Sequence, residues 1–229
     1  MKKFVNCLTG SRILATLILP FMWKILSPLA IVIFVALILL TDFFDGMLAR
    51  KYNVQTLFGM ILDQVADKAF GIMMLLIIGI YEPTFYLLVL MEVVIAVINI
   101  LAALRGATTK SSFLGKTKMW VLGAATFLAL VSIFDKQLLD IIKIDYLRDV
   151  LLTFMENEES ILLVVGSITV GSQIMVATDY TRHILKELKK SNEQIKYNFK
   201  SKKEIMKVLF DTKYYLKNKN LSYAKHFLK

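Results

Sequence analysis

The chain has 229 residues, of which 57% are hydrophobic, and a formal net charge of +10. Its mean hydropathy of +0.61 exceeds what an ordinary soluble domain carries and excludes a purely soluble, polar fold. The single cysteine, Cys7, excludes an internal disulfide.

The first apolar stretch runs from about Ile13 to Ile25, with Lys24 and Pro28 marking a break. A second runs from Leu29 to Leu40 and continues into Asp42; a third runs from near Leu57 to Tyr81, where Glu82-Pro83 signals a turn. The fourth spans Thr84 to Leu104, and a polar loop follows from Arg105 to Lys118. The fifth runs from Met119 to Phe134, an acidic connector occupies Asp135 to Ser160, and the sixth runs from Ile161 to about Ala177. Runs of this length and composition predict an all-α polytopic membrane protein with about six transmembrane helices. No cleavable signal peptide is expected, because the apolar stretch after Lys2 and Lys3 runs on without a small-residue cleavage pattern.

The charge is unevenly placed. Residues 181–229 hold 14 Lys or Arg against 4 Asp or Glu, and the rest of the chain balances. This divides the chain into a membrane domain, 1–180, and a basic tail, 181–229. Six spans put Lys2, Lys3, Arg12, Arg50, Lys51, Arg105 and the tail on one face and most of the loop carboxylates on the other. The positive-inside rule then places both termini in the cytoplasm. The tail lacks any nucleic-acid-binding module, so no nucleic acid is expected; attachment to anionic membrane lipid is the plain expectation.

The chemistry concentrates between Asp42 and Asp67: Asp42-x2-Asp45-Gly46-x2-Ala49-Arg50-x8-Gly59-x3-Asp63-x3-Asp67. At helical spacing of three or four, Asp42 and Asp45 share a face, as do Asp63 and Asp67. The turn between the two helices brings the pairs together. Four carboxylates at a membrane edge repel one another and are costly to desolvate. Arg50 and Lys68 can offset some of that charge. Divalent cations do so better: hard oxygen ligands at this density suit two Mg²⁺ or Mn²⁺ ions gripping a pyrophosphate. Gly46 and Ala49 leave room for a ligand to approach, and Gly59 lets its helix pack closely.

This pattern resembles the signature of the CDP-alcohol phosphatidyltransferase family at every fixed position, and the six-span layout is similar from about Asn6 to Tyr180. The resemblance implies that Asp42, Asp45 and Asp63 ligate the metal ions and that Asp67 lies at the same site as general base. It also implies CDP binding at Asp42, Asp45, Gly46, Ala49, Arg50 and Gly59, a CDP-diacylglycerol donor, an alcohol acceptor, and a homodimer. The stretch Asn6-x2-Thr9-x2-Arg12 and the string Gly115-Lys116-Thr117-Lys118 resemble segments of the phosphatidylglycerophosphate and cardiolipin synthases within that family. On that likeness Arg12, Arg105, Lys116 and Lys118 are candidates for the acceptor phosphate of glycerol 3-phosphate. Asn6 and Thr9 have a plainer alternative as caps of the first helix. Phosphatidylglycerol and inositol phosphate stay open as acceptors, since Met119-Trp120 departs from the synthases' continuation. Outside the class, a divalent-cation transporter or an inactive membrane adaptor is possible. A transporter fits poorly because no second half mirrors the aspartates, and an adaptor has no need of intact ones.

Overall fold

The structure, a computed structural model, describes residues 2–104, 113–190, 200–218 and 226–227. Among the described residues the regular elements are helices: α1 (Lys2–Ile25), α2 (Pro28–Lys51), α3 (Leu57–Gly79), α4 (Thr84–Leu104), α5 (Phe113–Ile133), α6 (Asp135–Ile141), α7 (Asp145–Glu156), α8 (Glu158–Lys190), α9 (Lys202–Phe210) and α10 (Thr212–Lys217). The chain is an all-α polytopic membrane protein. The helices cluster into two compact units. The first comprises Met1–Met73, Ala102–Thr108 and Leu188–Lys229; the second comprises Met74–Leu101 and Thr109–Glu187.

Among the described residues, α1, α2, α4 and α8 are each long and apolar enough to cross a bilayer. Helices α5 and α6, bent by 76° where they meet, make a fifth if counted as one span. The sequence predicts about six. The difference lies in α3, which has the length at 23 residues but carries Asp63, Asp67 and Lys68. Helix α1 also starts well before Ile13, so Asn6, Thr9 and Arg12 lie inside it. The expectation that Asn6 and Thr9 cap the first helix is therefore wrong: a cap must precede the first turn, and α1 has already begun at Lys2.

The second unit has an apolar core of Leu75 and Ile78 from α3, Phe85 and Leu88 from α4, Ala125 and Ala129 from α5, and Leu162 from α8. The two alanines, four residues apart, put small side chains on one face of α5, the composition that packing favours between helices surrounded by lipid, where burial from water supplies no drive. Within this unit Lys118 of α5 is ion-paired to Glu92 of α4, and both side chains are almost fully buried. The Gln173 amide of α8 donates to the same Glu92 oxygen at 3.2 Å. Large apolar side chains left uncovered, such as Leu14, Phe21, Leu37 and Leu163, form the surface that acyl chains cover.

Candidate metal and nucleotide site

In the first unit α1 and α2 pack against each other, joined by Leu26 and Ser27. Pro28 begins α2, where its missing N–H costs nothing. Helix α1 buries Val5, Thr9, Arg12, Thr16 and Leu19, a stripe spaced four, three, four, three along one face. Helix α2 buries Ile31, Ile38 and Asp45, each two turns apart. Polar residues pair across the hairpin in antiparallel register: Thr9 faces Asp45, and Arg12, three residues on, faces Asp42, three residues back. The Thr9 hydroxyl donates to Asp45 Oδ2 at 2.8 Å.

The return from α2 to α3 is set by Asn53, whose φ of 51° is left-handed. Its N–H donates to the Arg50 carbonyl at 3.2 Å and the next N–H, of Val54, to the Ala49 carbonyl at 3.1 Å. These are the two bonds of a Schellman stop, and asparagine is one of the few side chains that tolerates the conformation. Thr56 then starts α3, its hydroxyl accepting the Gly59 N–H at 3.0 Å. This short reversal brings Asp63 and Asp67 back toward Asp42 and Asp45.

Arg12 lies at the centre of the four carboxylates. Its Nη1 pairs with Asp42 and lies 4.0 Å from Asp45 Oδ2. Its Nη2 donates to Asp63 Oδ1 and to Asp67 Oδ1, each at 2.9 Å, and to the Asp63 carbonyl at 3.2 Å. The Arg12 side chain is 2% exposed, whereas Asp42, Asp63 and Asp67 are 44%, 44% and 56% exposed and Asp45 only 4%. Four carboxylates gather around this one guanidinium, so the acidic groups in contact with it outnumber it by three. Oxygens of Asp42, Asp63 and Asp67 lie within 4.8 Å of one another and can hold a metal ion; an all-carboxylate donor set fits a hard divalent cation. Asp45 stands outside that trio, turned onto Thr9.

Beside the aspartates lies a cavity of about 150 Å³, bordered by Asp45, Gly46, Ala49, Arg50, Gly59 and Asp63. Asn6 and Thr9 also line it. The two glycines differ in what keeps them small. A Cβ on Gly59 would sit 3.1 Å from Asn6 Oδ1 and 3.2 Å from Thr56 Oγ1, so those side chains would have to give by a few tenths of an ångström to admit one. A Cβ on Gly46 would meet nothing closer than the Arg50 guanidinium at 3.6 Å, which leaves this position open toward the cavity. A larger apolar hollow of about 640 Å³ lies between α7 and α8 and is lined by residues such as Val150, Phe154 and Val164. No ionisable side chain lines it, so it offers no chemistry.

The structure therefore brings together ten of the residues singled out in the sequence: Asn6, Thr9, Arg12, Asp42, Asp45, Gly46, Ala49, Arg50, Gly59 and Asp63, with Asp67 reached through Arg12. Lys118 is engaged with Glu92 in the second unit. Arg105 and the Lys116 side chain lie outside the described residues. One role and one participant were not anticipated. Arg12, singled out for the acceptor phosphate, serves as a countercharge to the aspartates; the signal was the buried stripe on α1. Tyr215, from the basic tail, also lines the cavity, and its hydroxyl donates to Met60 Sδ at 3.3 Å. Burial pushes the Tyr215 phenol up from its ordinary range, which keeps it neutral.

Residues 3–156 match the model of the CDP-alcohol phosphatidyltransferase family, and the chain belongs to that family. Among curated relatives, a protein of Aquifex aeolicus is 34% identical over 147 residues, covering 60% of this chain and 81% of the relative. One of Sodalis glossinidius is 33% identical over 123 residues, 50% of this chain and 64% of the relative. One of Rickettsia bellii is 48% identical over 66 residues, 28% of this chain and 36% of the relative. All three bear the name CDP-diacylglycerol–glycerol-3-phosphate 3-phosphatidyltransferase. The chain thus spans from about a third to four fifths of the length of these relatives. No solved structure is significantly similar to it.

Proposed function

We propose that this protein transfers the phosphatidyl group of CDP-diacylglycerol to glycerol 3-phosphate, giving phosphatidylglycerophosphate and CMP. The observation that carries the proposal is the convergence of Asp42, Asp63 and Asp67 on one point, at the spacing of the family's signature. The relatives' shared name supports the choice of donor and acceptor.

In this proposal Asp42, Asp45, Asp63 and Asp67 hold two Mg²⁺ or Mn²⁺ ions, which when bound neutralise the donor pyrophosphate and the charge developing at phosphorus. Gly46, Ala49, Arg50 and Gly59 receive the nucleotide. Asp67, the most exposed of the four carboxylates, takes the proton of the acceptor hydroxyl. That hydroxyl's oxygen forms the new bond to the phosphorus next to diacylglycerol. The bond from this phosphorus to the bridging oxygen breaks, and CMP leaves with the electron pair. A base is needed because an alcohol is a weak nucleophile at neutral pH.

Arg105 and Lys116 are assigned to the acceptor phosphate. Arg12 and Lys118, first considered for the same task, have carboxylate partners and are assigned to holding charge in place. The charge asymmetry of the loops favours cytoplasmic termini and an active site facing the cytoplasm across the cell membrane. The membrane domain is taken as 1–180, the tail as 181–229, and the assembly as a homodimer on the family's pattern.

The test is CMP release from CDP-diacylglycerol in detergent, with Mg²⁺ or Mn²⁺ and a panel of acceptors: glycerol 3-phosphate, glycerol, inositol phosphate and phosphatidylglycerol. Release that depends on glycerol 3-phosphate and stops reversibly with EDTA is expected. Equal release with an unphosphorylated alcohol would remove the acceptor assignment. No acceptor-dependent release at all would remove the enzymatic one.

A further inference from the structure

We propose that Tyr215, on the tail helix α10, is a nucleotide-binding residue: its ring is the wall against which the base of a cytidine diphosphate stacks. This rests on the donor assignment above. Tyr215 lines the same cavity as Gly46, Ala49 and Gly59, and it is the one aromatic side chain among the described residues that do so. At about 150 Å³ the cavity falls below the roughly 300–1,000 Å³ of a site that encloses a whole ligand. It has room for one flat ring, with Asp63 at its border marking where the attached phosphates would pass toward the aspartates. A base laid against the phenol is held by stacking, which every base can use and inorganic phosphate cannot.

The tyrosine is fixed from behind. Its hydroxyl bonds Met60 of α3, and it is 6% exposed. Five residues earlier, Phe210 packs its ring on Phe58, also of α3, at 4.9 Å between centroids. Asp211, between the two tail helices, caps α10 by accepting the N–H groups of Lys213 and Tyr214 at 2.9 and 3.1 Å. Each tail helix is thus set against the start of α3, whose Gly59 and Asp63 belong to the cavity. Residues 202–217 lie beyond the segment matched by the family model, which ends at 156, so this wall is supplied by the part of the chain the family match does not cover.

The experiment measures binding of CDP and of inorganic pyrophosphate, each with Mg²⁺, to the full chain in detergent. Pyrophosphate carries the charge but no base. The wild type should prefer CDP. Tyr215→Ala should weaken CDP about 5- to 150-fold, the range for losing one base–aromatic stack, and leave pyrophosphate within about twofold. Tyr215→Phe should retain CDP binding within about threefold, since the ring and not the hydroxyl does the stacking. Tyr215→Leu, which keeps apolar bulk, should lose CDP as Tyr215→Ala does; it serves if the alanine variant does not fold. An unchanged CDP-to-pyrophosphate ratio in the alanine or leucine variant overturns the proposal, as does a phenylalanine variant as weak as the leucine one or a wild type that binds both ligands equally. CMP release is read separately. A wild type that stacks CDP on Tyr215 but releases no CMP defeats the enzymatic assignment alone. One that releases CMP with Tyr215→Leu unaffected defeats this inference alone.

Discussion

Two charged clusters stand out among the described residues, one in each unit, and they are built on opposite principles. In the second unit Lys118 is ion-paired to Glu92, which also accepts from the Gln173 amide; the two charged side chains are 4% and 6% exposed. In the first unit a single buried guanidinium, Arg12, is shared among four carboxylates, three of which are about half exposed. Taking charge out of water is tolerated when it is matched and hydrogen-bonded. The matched pair can therefore be sealed in. The unmatched set must stay in contact with something that supplies positive charge. Balance with burial marks a strut; surplus with exposure marks a place for a charged ligand.

The largest effects should separate the two clusters by kind. Asp67→Asn should slow CMP release by about 10²–10⁴-fold, the usual worth of a general base, and weaken donor binding far less. Because it relieves a surplus charge, it should not lower the melting temperature of the metal-free protein. An equal loss of donor affinity would make Asp67 mainly a metal ligand. Lys118→Met should do the reverse to stability: it takes a cationic partner from the buried Glu92, at a cost of about 3–5 kcal/mol, read by thermal unfolding in detergent. Adding Glu92→Gln should restore most of that loss. If Asp67→Asn destabilises as much as Lys118→Met, the distinction between strut and ligand site is void.

Two smaller effects sharpen the contrast. Asn53→Val places a β-branched residue in the left-handed turn that returns α3 toward α2 and should cost about 1–2 kcal/mol of stability. Asn53→Gly should be nearly neutral. The smallest effect is expected at Glu82, between α3 and α4. Burial raises its pKa first, and the carboxylates of Glu158 and Glu159 add to that. The folded state then holds the proton more tightly than the unfolded chain. The stability this contributes is complete below the ordinary carboxylate value of 4.5 and is lost as pH rises through the raised one. Glu82→Gln should therefore raise the melting temperature slightly at pH 7 and leave it unchanged at pH 4. No difference at pH 7 would show that these three carboxylates are fully hydrated and that surplus charge alone has no consequence here.

The aspartate pairs were legible because three- and four-residue spacings within single helices need no knowledge of the fold. Gly59 and Gly46 were legible as small residues, but only the neighbouring Asn6 and Thr56 oxygens reveal how tightly the first is packed. The apolar run that marks α1 in the sequence begins at Ile13, while the helix begins at Lys2 with polar residues in its first turns. Outside that run, Asn6 and Thr9 resemble a cap and Arg12 a phosphate contact. The stripe from Val5 to Leu19 was visible as spacing, yet its partners on α2 lie 30 and 36 residues away for Arg12 and Thr9. No local pattern names a partner at that distance. The same holds for Lys118 with Glu92 and, at 155 residues, for Tyr215 with Met60. Helix α3, counted as a span from the sequence, has the length of one but carries Asp63, Asp67 and Lys68, which sets it apart from the four most apolar helices.

Arg12 has a consequence for how the acidic site is loaded. It is a counter-ion tied to the polypeptide, present at a local concentration fixed by α1 and beyond the reach of any chelator. Removing dissolved cations cannot leave the four carboxylates facing one another bare, so the hairpin keeps its register while empty. The same tether makes Arg12 a resident competitor. A cation arriving at Asp42, Asp63 or Asp67 must take carboxylate oxygens that already have a partner, and it gains less than it would from the same acids alone. Occupancy of the site should then follow the free ion concentration around it, rising and falling reversibly in place of a permanent load.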